Sequence, residues 1–132
     1  MAKRLTDTTK WANPSFRKIP TRYKLFYLYV LDNCDCAGVM HLDIEVIGFL
    51  LQERFSIPEI KEIFGDRIVF LSEDKIVVRN FIGFQNGDIC DSKSSIARSI
   101  RSTLNSHGLW DRYCKGEFGH VNKAVSLWDA HG

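Results

Sequence analysis

"RIVFLSEDKIVVRNFI", residues 67–82, is the stretch on which the fold turns. Isoleucine, valine and phenylalanine crowd both ends of it, and such β-branched and aromatic residues suit a pleated, half-buried surface. Between the two runs stands "SEDK", residues 72–75, polar and short enough to reverse the chain. The stretch therefore reads as a β-hairpin, with strands in "RIVFL" and "KIVVRNFI". What surrounds it has a different period.

On the N-terminal side, "SIPE" at 56–59 has the form of a capping box, with Ser56 accepting from the backbone of Glu59 and Glu59 reaching back. Pro58 falls in the first turn, where its missing N–H has no helical partner. Ile60, Ile63 and Phe64 give that short helix an apolar side, and Gly65 ends it. One element earlier, Asp43 caps a helix running to about Gln52, with Ile44, Ile47, Leu50 and Leu51 on one side. "GVMHL" before it suits a single short strand. "RYKLFYLYVLDN", residues 22–33, is apolar nearly all round from Leu25 to Leu31, the mark of a buried central helix, with Thr21 as its cap.

On the C-terminal side, "GFQNGDICD" reads as a loop, and residues 92–107 return to helical spacing. Ile96, Ile100 and Leu104 form the expected buried stripe there, while Arg98, Arg101 and Asn105 lie on other faces. Gly108 and Leu109 suit a Schellman stop. The order is helix, strand, helix, helix, strand, turn, strand, helix. The fold class expected is α+β, mainly α: a winged helix-turn-helix with a β-hairpin wing and an additional C-terminal helix. Residues 1–20, with Pro14 and Pro20, read as an extended basic arm anchored by Trp11 and Phe16. Residues 21–109 make the winged-helix domain, and 110–132 a C-terminal tail without clear period.

The corner "LDNCDCAGVMHLD", residues 31–43, needs a separate decision. Structural zinc wants four ligands, usually as two pairs separated by two to four residues. Cys34 and Cys36 stand one residue apart, and Cys90 and Cys114 supply no second pair. The better reading is architectural: Cys34 turns to the core as a small hydrophobe, and Asp32 or Asp35 organises the turn at Gly38. "EIK" at 59–61 and "EDK" at 73–75 match the letters of a nuclease Glu-x-Lys, but lie on a capped helix and a hairpin tip rather than on core strands. No cysteine has a nucleophile's context, and no glycine-rich phosphate loop is present. The chain is expected not to be an enzyme and to need no metal or cofactor.

Length and charge bound the rest. The 132 residues suit one domain with its own core. No apolar run approaches the roughly 18 residues of a membrane span. "MAKRLTDTTK" has no apolar stretch behind it, so a cytoplasmic protein with reduced cysteines is expected. Charge is uneven. Residues 1–31 hold seven bases against Asp7 alone, residues 32–75 ten acids against four bases, and residues 76–132 seven bases against five acids. Basic ends around an acidic middle suit an anionic partner for the ends.

"KRLTDTTKW", then "FRKIPTRYKLFYLYVLDNCDCAGVMHLD", resembles the opening of phage and prophage replication-initiation proteins of the replisome-organiser type, similar to the DnaD N-terminal region. "FIGFQNG" and "LNSHGL" continue the resemblance to about residue 109. It implies a winged-helix protein of DNA replication that binds DNA, duplex or single-stranded, with replication proteins and further copies of itself as other partners. Those relatives usually carry an aromatic residue where Asn86 stands, and many are longer. An interaction module that does not touch DNA is the other reading.

In a standard helix-turn-helix the third helix enters the major groove. Here that helix carries Lys61 between Glu59 and Glu62, and carboxylates repel phosphates. The candidate DNA contacts are therefore Lys3, Arg4, Lys10, Arg17 and Lys18 in the arm, Lys75 and Arg79 in the hairpin, and Lys93, Arg98 and Arg101 in the helix after it. Serines 94, 95, 99 and 102 stand beside the last three as phosphate donors.

Overall fold

A computed structural model describes residues 3–128. Seven α-helices and three strands are found in them: α1 Pro14–Arg17, α2 Thr21–Asn33, β1 Val39–His41, α3 Ile44–Leu51, α4 Ile57–Phe64, β2 Ile68–Ser72, β3 Lys75–Val78, α5 Phe81–Asn86, α6 Ser95–Ser106 and α7 Trp110–Cys114. The class is α+β, with a three-stranded antiparallel sheet in the order β1-β3-β2. The hairpin joins β2 to β3, and β1 adds to the far edge with Val39 opposite Val77 and His41 opposite Lys75.

β3 divides the core because successive side chains of a strand point to opposite faces. Ile76 and Val78 face one apolar cluster with α2, α3 and α4, while Val77 faces a second with α6 and α7. All three are essentially inaccessible to water. A central strand covered on both sides reads as a continuous apolar run, and "IVV", residues 76–78, does.

The helix boundaries follow local chemistry. Asp43 Oδ1 accepts from Val46 N at 3.1 Å, as the sequence indicates. Ser56 Oγ accepts from Glu59 N, but the return bond of the capping box is replaced. Ser56 N donates to the Tyr23 hydroxyl, and the Glu59 carboxylate takes the Ser56 hydroxyl and Arg22 instead. α2 starts from Pro20 with no side-chain cap, so Thr21 is its first residue and not its cap. α6 closes as expected: Leu109 N bonds to Leu104 O, Gly108 N to Asn105 O, and Gly108 has φ +71°.

Both ends depart from the sequence reading. From Asp7 to Pro20 the chain is not an extended arm. Asp7 opens a 3-10 turn over Thr8–Ala12, Asn13 caps α1, and Phe16 is completely buried. The C-terminal tail is likewise anchored. Trp128 packs edge-on against Phe16 and Tyr27, each with ring centroids 4.9 Å away. Its indole N–H donates to Ser15 Oγ, and the Arg67 guanidinium lies over its ring and donates to its carbonyl.

The two ends are also tied by a carboxylate. Asp7 Oδ1 accepts from the backbone and hydroxyl of Thr9, and Oδ2 from Ser126 Oγ and Leu127 N, both at 3.0 Å. The strand after the hairpin stops early for a related reason. Asn80 adopts φ +63°, its N–H donates to Phe118 O, and its side-chain oxygen accepts from His120 N. Gly119 passes so close to this side chain that a Cβ there would overlap it. The chain consequently turns into α5, so Phe81 and Ile82 are not part of β3 and residues 83–91 are only partly loop. No helix among the described residues is long and apolar enough to cross a membrane.

Burial raises the Asp7 carboxyl, but the hydrogen bonds from Thr9, Ser126 and Leu127 outweigh it and hold the group below its ordinary 3.8. A lowered folded-state value stabilises the fold above pH 3.8, and that contribution fades as pH falls through the folded value. Asp7→Ala is expected to cost about 1–3 kcal/mol near neutrality. In urea titrations the gap to the parent should narrow below pH 3.8; a gap unchanged with pH would contradict the assignment.

Candidate nucleic-acid interface

The corner at 31–43 turns out to be a joint. Asp35 Oδ1 accepts from Ala37 N and Val39 N, and Gly38 N donates back to Asp35 O. Gly38 has φ +82°, and a Cβ on it would lie 2.9 Å from Phe81 Cβ, so glycine is required. Asp35, not Asp32, is therefore the organising carboxylate. Its second oxygen meets His107 Nε2 at 2.8 Å, and the Cys36 thiol donates to Thr103 Oγ1 at 3.3 Å. These contacts hold the C-terminal half of α6 against the corner. Cys34 is buried, and desolvation pushes its thiol up to about 12, so it is protonated near neutrality. Among the described residues no group of three or more His, Cys, Asp or Glu side chains is placed to hold a metal ion.

The other end of α6 is held by its own cap and by the loop before it. Ser94 Oγ accepts from Ala97 N, and the Ser92 hydroxyl supports Ser94. Asn122 Oδ1 accepts from Ile89 N and Cys90 N. Arg101 folds back along the helix and donates to Ile89 O at 2.5 Å and Ser92 O at 2.8 Å. This base is a brace for the loop, although the sequence reading offers it to DNA. The buried stripe of α6 is Ala97, Ile100 and Leu104, whereas Ile96 is 62% exposed. Ile96 sits at the edge of the apolar arc, where it lines an open groove with Cys36 and Phe81.

The ten candidate bases are not gathered on one surface. Lys10 is 2% exposed, with Nζ donating to Asp7 O at 2.7 Å. Burial lowers its affinity for a proton, partly offset by the Asp7 charge. A side chain enclosed in this way cannot reach a phosphate, so Lys10 is withdrawn from the interface. Arg79 is half-buried, with Nε shielded from water and unpartnered among the described residues. Arg4 donates to Leu31 O at 2.9 Å, capping the end of α2 as a cation at a helix C-terminus does. Lys75 stands half-buried at the β2–β3 turn, next to the exposed acids Glu73 and Asp74. Arg17 and Lys18 are exposed at the end of α1, beside the first turn of α2.

What the structure does bring together is a groove between the N-terminal segment and α6. Lys3, Arg4 and Leu5 line it from one side, Ile96 from another, and Cys36, Phe81, Gln85 and Asn86 complete it. The Gln85 amide holds the segment in place by bonding both the N–H and the carbonyl of Leu5, each at 2.9 Å. Leu5 is 61% exposed. Ser99 follows Ile96 by three residues on the helix, so a hydroxyl flanks the exposed isoleucine, and the exposed Lys93 stands just before the Ser94 cap. Arg98 is exposed on the outer side of α6.

The face carrying α4 differs. Glu62, Asp66, Glu73 and Asp74 are exposed, Glu59 pairs with Arg22 at 2.9 Å, and the Lys61 ammonium lies 4.9 Å from the centre of the Phe70 ring. From the sequence Leu5 has no assigned role and Ile96 is placed in the buried stripe, so neither is expected in a groove. Their only signal was position: Leu5 in a basic segment, Ile96 beside a cap rich in serine. No protein-family model matches the chain, and no curated protein and no solved structure matches it.

The different duties of the two arginines give a direct check. Arg101→Ala is expected to lower stability by about 1–3 kcal/mol, since the Ile89 carbonyl loses a charged donor. Arg98→Ala should stay within about 0.5 kcal/mol of the parent. Urea midpoints measured side by side decide this; equal midpoints would remove Arg101 from its role as a brace.

Proposed function

We propose that the chain is a winged-helix module of the replisome-organiser type, acting in the cytoplasm in DNA replication initiation and binding DNA mainly through phosphates. The run α2, β1, α3, α4, β2, β3, with β1 beside β3, supports the winged-helix reading. α3 and α4 supply the two helices of the turn, and the β2–β3 hairpin the wing. The sequence resemblance supports the replication setting. DNA is read as the partner, with no chemistry performed on it.

One observation carries the binding reading: the groove that brings Lys3 and Arg4 from the N-terminus to Ile96 on α6, with the exposed Lys93 just before the cap of that helix. Lys3 there and Lys93 before α6 meet phosphates, the hydroxyls of Ser95 and Ser99 can donate to phosphate oxygens, and Leu5 and Ile96 give sugar edges an apolar surface. Carboxylates on α4 and at the hairpin tip oppose the standard mode, in which α4 enters the major groove. Binding is then weakly selective for sequence and strongly dependent on salt, because phosphate contacts release counterions.

The test is a salt titration of affinity for duplex and single-stranded DNA of mixed sequence. Lys3→Ala combined with Lys93→Ala is expected to weaken binding by about 1–2 kcal/mol and to flatten the salt slope by up to about two contacts' worth. Lys61→Ala should do much less. Loss of binding in Lys61→Ala, with the double variant unaffected, would put α4 in the groove and overturn the proposal.

A further inference from the structure

α3 has more apolar surface than the core uses. In "IEVIGFLL" the only charged residue is Glu45, and only one side of so short a helix can face inward. Ile47 is buried, and Ile44 and Leu51 are half-buried against the core. The remaining apolar residues face water: Val46 at 49%, Leu50 at 55% and Phe49 at 82% exposed. The sequence puts Leu50 on one side of the helix with Ile44, Ile47 and Leu51. Its position is on the outward arc, with Val46 four residues before it and Phe49 next to it. Three such side chains at helical spacing form a continuous patch, and an exposed phenylalanine within one marks a contact surface.

The patch is framed by negative charge. Glu45 precedes Phe49 by four residues on the helix and so lies beside its ring, while Glu53 follows the left-handed cap Gln52 just beyond the end of α3. Both glutamates are exposed, and neither is in an ion pair among the described residues. Asp43 caps the start of the helix. From Asp43 to Glu62 the chain has five carboxylates against Arg54 and Lys61. Val46 also forms part of a cleft with Tyr29, Val39, Met40 and His41, so the patch continues into a concave surface.

These features select the occupant. A nucleic acid or an anionic membrane surface would meet Asp43, Glu45 and Glu53 as like charge. A second copy using the same face would set Glu45 and Glu53 against their equivalents around a Phe49 contact, and a self-complementary interface with such opposition is disfavoured. A helix with apolar residues every three or four positions and lysine or arginine beside them satisfies both the patch and its rim.

We propose that the outward face of α3, with Val46, Phe49 and Leu50 inside the carboxylate rim, is a docking surface for a basic amphipathic helix of a partner protein. It lies apart from the groove of Lys3 and Ile96, so the two surfaces can be occupied at once, and failure of either leaves the other standing.

The experiment titrates the full chain with a fluorescent synthetic amphipathic helix of leucine and lysine, with a leucine–glutamate helix and a scrambled leucine–lysine sequence as controls. Sedimentation velocity of the chain alone is run in parallel. The leucine–lysine helix is expected to bind and the controls to bind at least about tenfold more weakly. Phe49→Ser should weaken binding about tenfold while leaving circular dichroism and the urea midpoint unchanged, since the ring is exposed. Glu45→Lys with Glu53→Lys should weaken binding and remove its salt dependence. Equal binding of the scrambled sequence, or undiminished binding by folded Phe49→Ser, would overturn the proposal. A parent dimer that Phe49→Ser converts to monomer would overturn it too, by giving the face to a second copy.

Discussion

Trp128 closes this molecule. Its ring stands against Phe16 from α1, Tyr27 from α2 and Phe64 from α4, so one side chain near the end of the described chain touches three separate helices. A buried aromatic of this size contributes both apolar area and edge-to-face contacts. Its polar edge is satisfied as well, by Ser15, and Arg67 covers the ring. Beside it, Asp7 draws the backbone of Leu127 onto the first turn of the chain. The helical cluster is thereby sealed by residues from its two extremes.

That closure decides what the basic ends can do. Lys10 is taken inside because the N-terminal segment must lie down for Asp7 to reach Ser126 and Leu127. Arg4 is drawn to the end of α2 by the same path, with its guanidinium over Phe81. Lys3 and Leu5 remain at the surface, beside α6. On the other side of the sheet, Val77 and the joint at Asp35 fix α6, and the groove forms where this helix passes the N-terminal segment. The two candidate surfaces thus arise on opposite halves of a core that β3 divides, one basic in its flanks and one acidic.

Much of the middle was legible because its determinants are local. Asp43 and Ser56 act on N–H groups three residues away, the hairpin is a change of period, and Gly108 stops α6 within its own turn. The ends were not legible for the opposite reason. Nothing near Asp7 shows that its carboxylate bonds to residues 126 and 127, and nothing near Pro14 shows that Phe16 will meet Trp128. Asn80 ends β3 through contacts with Phe118 and His120, which no strand propensity contains. For the candidate surfaces, spacing placed Ile96 in a buried stripe and Leu50 on an apolar side, because a helical period gives the width of an apolar arc and not which edge of it stays wet. Arg101 could be assigned to a face of α6, but not to the loop carbonyls it braces.

The measurement that bears most directly on this account is the urea unfolding of Trp128→Ala, read together with amide hydrogen exchange. If the ring seals the helical cluster, the variant should lose about 3–5 kcal/mol of stability, as truncation of a buried large aromatic does. Protection of the Thr9 and Leu127 amides, both held by Asp7, should fall with it. A loss below about 1 kcal/mol, with those amides as protected as in the parent, would mean that the two ends do not depend on Trp128 and that the core stands without its closure.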